Sequence, residues 1–550
     1  MAATGTLGAG SPDGSRSVVA ALRSADWRFL LPVPPNTPFG RLAMLGGLPG
    51  VVARAQLLGL GGQVTDSLPG PGGAQGVVAY ADAPYTIDAI AAAVAPGGTL
   101  YLEVERSRRG VRMTPGRVEM RLRRVGLTVA GMYAVEPGVS DARAFIPLDA
   151  PRAMTWHRTM ELGPSTAATF AGVVRHSVAR VAGRTGAALD RSYVVVAKRD
   201  TGVSPLPWVL GQDTVARLAG WTEPPRAAVM LSYGGDRVIL FPFAADDSEP
   251  VAVVKVTRAD ALAQRTENEQ ARTRALRSLL GGALASSIPE PLGSARLGGS
   301  LVACERYVPG RTLMSRARHD ALSLAEKIDD LRRAMEWLVR FHRATQVQRT
   351  PVAELVTTMI AEPLDAYATH VSVTDDEAVL FNRVSTAASA LGPLLVPIVC
   401  QHRDFAVWNV LRDGAALRVL DWEGARDGPA AADAIHLATT WLYAVRLAGG
   451  EHDEGRCVLD LLVTRAMSDA AATAAREALG WYLDELQIDR RLAPILIAAH
   501  RVELAARRAV QRRGQGESAH SPGDPDADVA VVRAIASEVG RALQSEPVPS

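Results

Sequence analysis

The sequence predicts an α/β domain on a parallel sheet, then an α+β domain of two lobes, then a short terminal helix. Three observations carry this expectation. Strand-like and helix-like runs alternate through the first 200 residues, which implies a parallel sheet. Strands joined by glycine turns dominate about residues 205–310. Two blocks of helical periodicity, 353–390 and 454–512, flank a polar hairpin near residue 404. The expected organisation is a disordered segment 1–16, an α/β domain 17–200, a two-lobed domain 205–513 (lobes about 205–310 and 311–513), a hydrophilic linker 514–528 and a helix 529–545. The boundary falls at Thr201-Gly-Val-Ser-Pro-Leu-Pro207.

Composition narrows the function classes. With 550 residues, 48% of them apolar, the chain has material for two or three cored domains. A formal net charge of +2, with no basic stripe interleaved with aromatics, argues against nucleic acid. Cys304, Cys400 and Cys457 lie far apart, so neither a disulfide framework nor a zinc site is suggested. The start lacks a basic and then apolar leader, and no uncharged apolar run reaches spanning length. A cytoplasmic protein with no membrane partner is expected. Arginine-rich, Ala-, Gly- and Pro-rich usage suggests a GC-rich bacterial genome.

In the first domain, a strand from Arg41 runs into the glycine turn Gly46-Gly47-Leu-Pro-Gly50, then a helix over Val51–Leu60 and a strand over Gln63–Asp66. Strands follow at 76–81 and 96–104, helices at 86–94 and 115–125, a strand from Gly126, and a last strand at Tyr193–Lys198. The glycine turn would let backbone approach a cofactor, or simply serve helix–strand packing, and Asp66 stands where an acid could meet ribose hydroxyls. Between Asp66 and Gly76 there is too little chain for a helix and a strand.

In the second domain, Val229 to Phe241 reads as two strands around Gly234-Gly235, a hairpin able to cover phosphates. Val251 to Val256 alternates and carries Lys255, one of three lysines among 60 basic residues. A compact charge on a flexible stem suits a phosphate-reaching slot better than a planar guanidinium. Fourteen residues on, Glu269 lies on a predicted helix and is placed to pair with Lys255, with Glu267 as the competitor. Leu301 to Gly310 reads as a strand whose backbone near Glu305–Tyr307 could meet an adenine edge.

The most informative run is Gln401-His-Arg-Asp-Phe-Ala-Val-Trp-Asn-Val-Leu411, followed after nine residues by Asp421-Trp-Glu-Gly424. A strand–turn–strand presents Asp404, Asn409 and Asp421 together. Asp404 can take the proton of an attacking hydroxyl, while Asn409 and Asp421 hold Mg²⁺ on a triphosphate. Trp441, Trp481 and Tyr482 fall at apolar helical positions and read as core.

Together, the run 401–424, the "PAAADAIHL" that follows and the Lys255 strand resemble the aminoglycoside phosphotransferase/choline kinase-like family, over about residues 205–510. The resemblance implies a bilobal protein-kinase-like fold, ATP, Mg²⁺ and a small hydroxyl-bearing acceptor such as an aminoglycoside, sugar or amino alcohol. It implies Asp404 as base, His402 bracing its loop, Asn409 and Asp421 as metal ligands, Lys255 as the phosphate lysine and Asp433 as a structural acid. Arg403 stands where the family often has Gly, and Val407 where it often has Pro. The run "AVAPGGTLYLEV…RLRRVGLTVAGMY" resembles a class I S-adenosylmethionine-dependent methyltransferase, a Rossmann-like sheet, with Met44-Leu45 in place of the usual acid and one βα unit lost. A bifunctional methyltransferase–kinase and a non-catalytic nucleotide-binding scaffold are the alternatives.

Overall fold

The structure is a computed structural model that describes residues 24–105, 113–139, 142–162, 192–200, 204, 206–232, 235–245, 247–462, 469–515 and 527–544. The expected disordered segment 1–16, Gly234 of the glycine pair and 516–526 of the expected linker lie outside these residues. The chain divides into two compact units, Met1–Ala271 with Glu290–Val308, and Arg272–Pro289 with Pro309–Ser550. Residues 201–207 fall within the first unit.

The first unit is organised by one twelve-stranded sheet. Its strands are β1 (Phe39–Leu45), β2 (Gly61–Thr65), β3 (Ala74–Ala79), β4 (Val94–Val104), β5 (Thr128–Glu136), β6 (Ala144–Pro147), β7 (Tyr193–Lys198), β8 (Ala227–Leu231), β9 (Arg237–Phe243), β10 (Val253–Thr257), β11 (Pro291–Leu297) and β12 (Ser300–Glu305). They lie in the order β11-β12-β10-β9-β8-β6-β5-β7-β4-β3-β1-β2. Helices α1 (Val51–Leu57), α2 (Ile87–Ala92), α3 (Pro115–Arg124) and α4 (Pro151–Leu162) accompany it, and α5 (Ala263–Leu279) begins in this unit and passes into the second after Ala271.

The parallel expectation holds for β2-β1-β3-β4 and fails beyond it. β7 enters between β4 and β5 antiparallel to both, so the N-terminal sheet is mixed. An inverted strand in that position still completes the ladders of both neighbours. Period-2 alternation sends Leu42, Met44, Val194 and Val196 into one core and Ala43, Leu45, Val195 and Ala197 into the other, so the sheet is covered on both faces. Helix α1 stops at Leu57 rather than Leu60, because Gly59 takes φ +63 and closes the helix in a left-handed conformation. Between β2 and β3 the chain forms neither helix nor strand. From β6 the sheet passes through an antiparallel β8 pairing into the antiparallel strands β8–β12.

The second unit is mostly helical. One apolar seam comes from α6 (Leu324–Thr345), which starts at a Ser323–Glu326 capping box and buries Leu331, Leu338 and Phe341. Two three-stranded sheets follow from β13 (Arg311–Thr312), β14 (Gln348–Pro351), β15 (Leu395–Gln401), β16 (Val410–Asp413), β17 (Ala416–Val419) and β18 (Arg426–Pro429), in orders β13-β16-β17 and β14-β15-β18. Around them lie α7 (Glu362–His370), α8 (Asp375–Ala390), α9 (Ala432–Ala448), α10 (Glu454–Leu462), α11 (Ala470–Glu485), α12 (Ala493–Gln515) and α13 (Ala527–Gln544). Trp441 and Tyr482 are core residues here, and Trp481 packs against that core. No helix among the described residues is long and apolar enough to cross a membrane.

Candidate functional site

In the second unit, β15 delivers the chain into the loop 402–409 and β16 takes it away. The loop is held from behind by Asp433 at the start of α9. Its carboxylate accepts from the backbone N–H of His402 at 2.7 Å and of Arg403 at 2.8 Å. His402 is fully buried and lies 2.7 Å by Nε2 from the Leu420 carbonyl. A carbonyl only accepts, so that proton sits on Nε2, and Nδ1 is left to accept from the Asp404 N–H at 3.3 Å. His402 therefore ties the loop to the end of the next hairpin and does not reach outward.

Asp404 is the exposed product of this bracing, with 39% of its side chain open. Its Oδ2 accepts from Asn409 Nδ2 at 2.8 Å and Trp408 Nε1 at 3.3 Å, and its Oδ1 accepts from His436 Nε2 at 3.2 Å. Burial acts to raise this carboxyl, but the hydrogen bond and charge of His436, with His402 and Trp408, outweigh it and bring it to about 2. Asp404 is thus a carboxylate across the physiological range. Asn409 uses its NH₂ on Asp404, which leaves its amide oxygen, the atom a hard cation would need, uncommitted to that partner.

Asp421 follows β17 after Leu420 and caps a short 3₁₀ turn, Trp422–Gly424. It sits at φ +63, Arg403 at φ +69 and Ala431 at φ +97. Non-glycine residues pay for such backbone, and the surroundings must over-determine it. At Arg403 they do: beyond the Asp433 bond, its guanidinium pairs with Glu503 and its carbonyl accepts from Arg507 at 3.0 Å. The Ala431 N–H is held by the Tyr482 hydroxyl at 3.2 Å.

In the first unit, Lys255 on β10 is 7% exposed, and its ammonium reaches Glu269 at 2.5 Å and Glu305 at 2.7 Å. Arg237 joins Glu269 from β9 at 2.5 Å. For Glu269, burial raises the carboxyl but Lys255 and then Arg237 drive it below its ordinary value. Burial lifts Glu305 above its own, and the Glu269 charge adds to that lift. The expected pairing partner of Lys255 is therefore Glu269; the competitor Glu267 turns to Arg296 at 2.9 Å.

The remaining site residues are placed less tellingly. Gly235 precedes β9. Tyr307 accepts from the Trp156 indole at 2.9 Å and packs within the N-terminal core. The Arg306 N–H is bonded to the Glu290 carbonyl at 2.9 Å. Asp404, Asn409 and His402 are brought together in the second unit, and Lys255, Glu269 and Glu305 in the first. The sequence reading missed His436, although Asp433 and His436 stand three apart on one helix face, the spacing that lets both reach one loop.

Residues 243–457 match the model of a phosphotransferase enzyme family. No curated protein sequence matches the chain. Among solved structures, a glucosamine kinase in complex with glucosamine, ADP and inorganic phosphate is 19% identical, with TM-score 0.36, covering 61% of this chain and 88% of its own. A thermostable mutant of an aminoglycoside phosphotransferase, bound to AMP-PNP and hygromycin B, is 14% identical with TM-score 0.37, covering 59% and 99%. An amicoumacin kinase in complex with AMP-PNP, Ca²⁺ and its ligand is 14% identical with TM-score 0.38, covering 60% and 94%. The family match covers under half of the chain and supports an enzyme of phosphotransferase type.

Proposed function

We propose that the chain moves the γ-phosphate of ATP to a hydroxyl of a small molecule of aminoglycoside, sugar or amino-alcohol type. The observation that carries this reading is the Asp404 carboxylate, ionised and half open, held by three donors inside the segment that matches the phosphotransferase family. Asp404 accepts the proton of the attacking hydroxyl as the bond to phosphorus forms. Its donors keep it from rotating, which preserves the geometry an in-line transfer needs. His402 acts through the loop as a positioning residue.

The donor set of Asn409 and Asp421 is an amide oxygen and a carboxylate, hard ligands that fit Mg²⁺. The ion, when bound, neutralises charge on the phosphates. Lys255, oriented by Glu269, contributes a point charge to the α- and β-phosphates. Gly235, ahead of β9, is assigned to covering the phosphates, and backbone near Glu305 and Tyr307 to the adenine edge. Screening hydroxylated metabolites for ADP release tests the reading: turnover with at least one acceptor is expected, and Asp404→Ala should remove it while leaving Mg·ATP binding intact.

The N-terminal sheet we read as methyltransferase-like and without full activity. Support comes from the order β2-β1-β3-β4-β7-β5 with β7 reversed, and from the missing unit between β2 and β3. Asp66 is exposed at the end of β2, and the Gly47 N–H is already occupied by Asp82 at 2.6 Å. These residues do not fit the carboxylate and ribose of S-adenosylmethionine. Calorimetric titration with that cofactor is expected to show no binding; saturable binding would revive the bifunctional alternative.

A further inference from the structure

Chain order reverses around β1, which lies between β2 and β3. In open α/β sheets such a reversal opens a crevice outside the carboxyl ends of the two diverging strands. Here a cavity of about 500 Å³ occupies that position, entirely within the first unit. Its wall takes Gly47 from the turn after β1, Tyr80 and Asp82 from beyond β3, and Tyr101 and Glu103 from β4. Trp27 and Arg54 also line it, whereas Asp66 does not.

The chemistry of the wall is set by three facts. First, the glycine turn is closed to anions. The Gly47 N–H donates to Asp82 Oδ1 at 2.6 Å, and a Cβ on Gly46 would lie 2.5 Å from that same oxygen. A Cβ on Gly47, which sits at φ +89, would come within 2.6 Å of the Tyr80 ring. The glycines are there so that backbone can press against an aromatic ring and a carboxylate, and an incoming phosphate would meet that carboxylate.

Second, the charge is acidic. Asp82, Glu103 and Glu105 line the cavity against Arg54. Asp26 also lines it, but Arg258 binds it at 2.8 and 2.6 Å and cancels its charge. Glu103 accepts from the Ala81 N–H at 3.2 Å and the Tyr101 hydroxyl at 3.3 Å, which fixes its direction. Third, the walls are aromatic. Trp27 and Tyr101 stand 6.1 Å apart, tilted by 39°. The Trp27 side chain is 4% exposed, and its indole N–H, within electrostatic reach of the Tyr80 phenol, makes no hydrogen bond of good geometry.

We propose that this cavity binds a small organic ammonium ion, its charge against Glu103 and Asp82 and its alkyl surface against the rings of Trp27, Tyr80 and Tyr101. Aromatic faces attract cations through the ring quadrupole, most strongly where water is excluded, and carboxylates beside them add direct charge complementarity. The proposal stands apart from phosphoryl transfer and does not rest on it.

Burial carries Glu103 up to about 7; the Ala81 N–H and Tyr101 hydroxyl oppose this, and the Asp82 and Glu105 charges assist it. Affinity for a permanent cation should therefore rise several-fold from pH 6 to pH 8 as Glu103 loses its proton. The deciding experiment is calorimetric titration of the full chain with choline, and with its neutral isostere 3,3-dimethylbutan-1-ol. One choline site is expected, with the isostere at least about 10-fold weaker. Glu103→Gln should weaken choline by a similar factor, with folding checked by thermal unfolding, and Asp404→Ala should leave it unchanged. The proposal is overturned by absence of choline binding, by equal binding of the isostere, by an unaffected Glu103→Gln, or by loss of the site in Asp404→Ala.

Discussion

Lys255 and Asp404 are both charged groups in polar surroundings, yet the two units hold them differently. Lys255 is almost sealed, and its ammonium lies between the carboxylates of Glu269 and Glu305. Asp404 keeps 39% of its side chain open and collects hydrogen bonds from an amide, an indole and an imidazole, with no lysine or arginine among those three donors. A buried ion is tolerable only with its counter-charge in place, so the first cluster is assembled from full charges. A half-exposed carboxylate needs less compensation, and three hydrogen bonds, with the charge that His436 adds, aim it and hold it ionised. The first arrangement fixes a cation firmly; the second leaves an acceptor accessible to a substrate hydroxyl.

The largest expected effect tests the accessible side. Asp404→Ala should lower acceptor-dependent transfer at least about 100-fold, measured as kcat for ADP release, with ATP affinity nearly unchanged. Asp421→Ala should cut turnover comparably and also weaken Mg·ATP binding, a double loss that separates a metal ligand from a base. If both variants lost only turnover, the division of labour proposed for the second unit would be wrong.

The sealed side is probed by stability. Lys255→Met leaves two buried carboxylates facing an apolar group, with Arg237 still paired to Glu269. Urea unfolding should show a loss of about 3 kcal/mol. Lys255→Arg keeps the charge and should recover most of that stability while turnover stays low, because a planar fork replaces a point charge.

A smaller effect concerns the tuning of Asp404. Its carboxyl lies below the ordinary aspartate value, so the ionised form persists above about pH 4 and is lost only as pH falls through about 2. In the wild type, no acid limb of kcat/KM above pH 4 should belong to Asp404. His436→Ala removes the partner that lowers it most, and burial then acts unopposed by that bond. The acid limb should move to higher pH. The smallest change is Arg403→Gly. Glycine adopts φ +69 freely, but the Glu503 pair is lost, so stability should shift by no more than about 1 kcal/mol in either direction by thermal unfolding.

Local chemistry was legible where one element carries it. The β-branched run around Lys255, the strand–turn–strand of 401–424 and the helix bearing Glu269 follow from patterning, and so does the shortened stretch after Asp66. The left-handed backbone of Arg403, φ +69, was not read from the sequence, although the family often has glycine there. Glu305 as a second partner of Lys255 was not visible. Lys255 faces Ala303 across the sheet, and Glu305 is its diagonal neighbour two residues on; that register exists only once β10 and β12 have paired. The inverted β7 and the β6–β8 junction were hidden for the same reason.

By itself, then, the sequence determined which residues carry oxygen donors, which carry the rare lysine, and which segments become strands or helices, since hydrophobic period and turn chemistry act within a few residues. Tertiary structure alone decided which donors converge on Asp404, that a single sheet of twelve strands runs through the first unit, and that Asp82 fills the glycine turn. Those outcomes depend on register and packing between segments tens to hundreds of residues apart, where a shift of one residue turns a side chain to the opposite face.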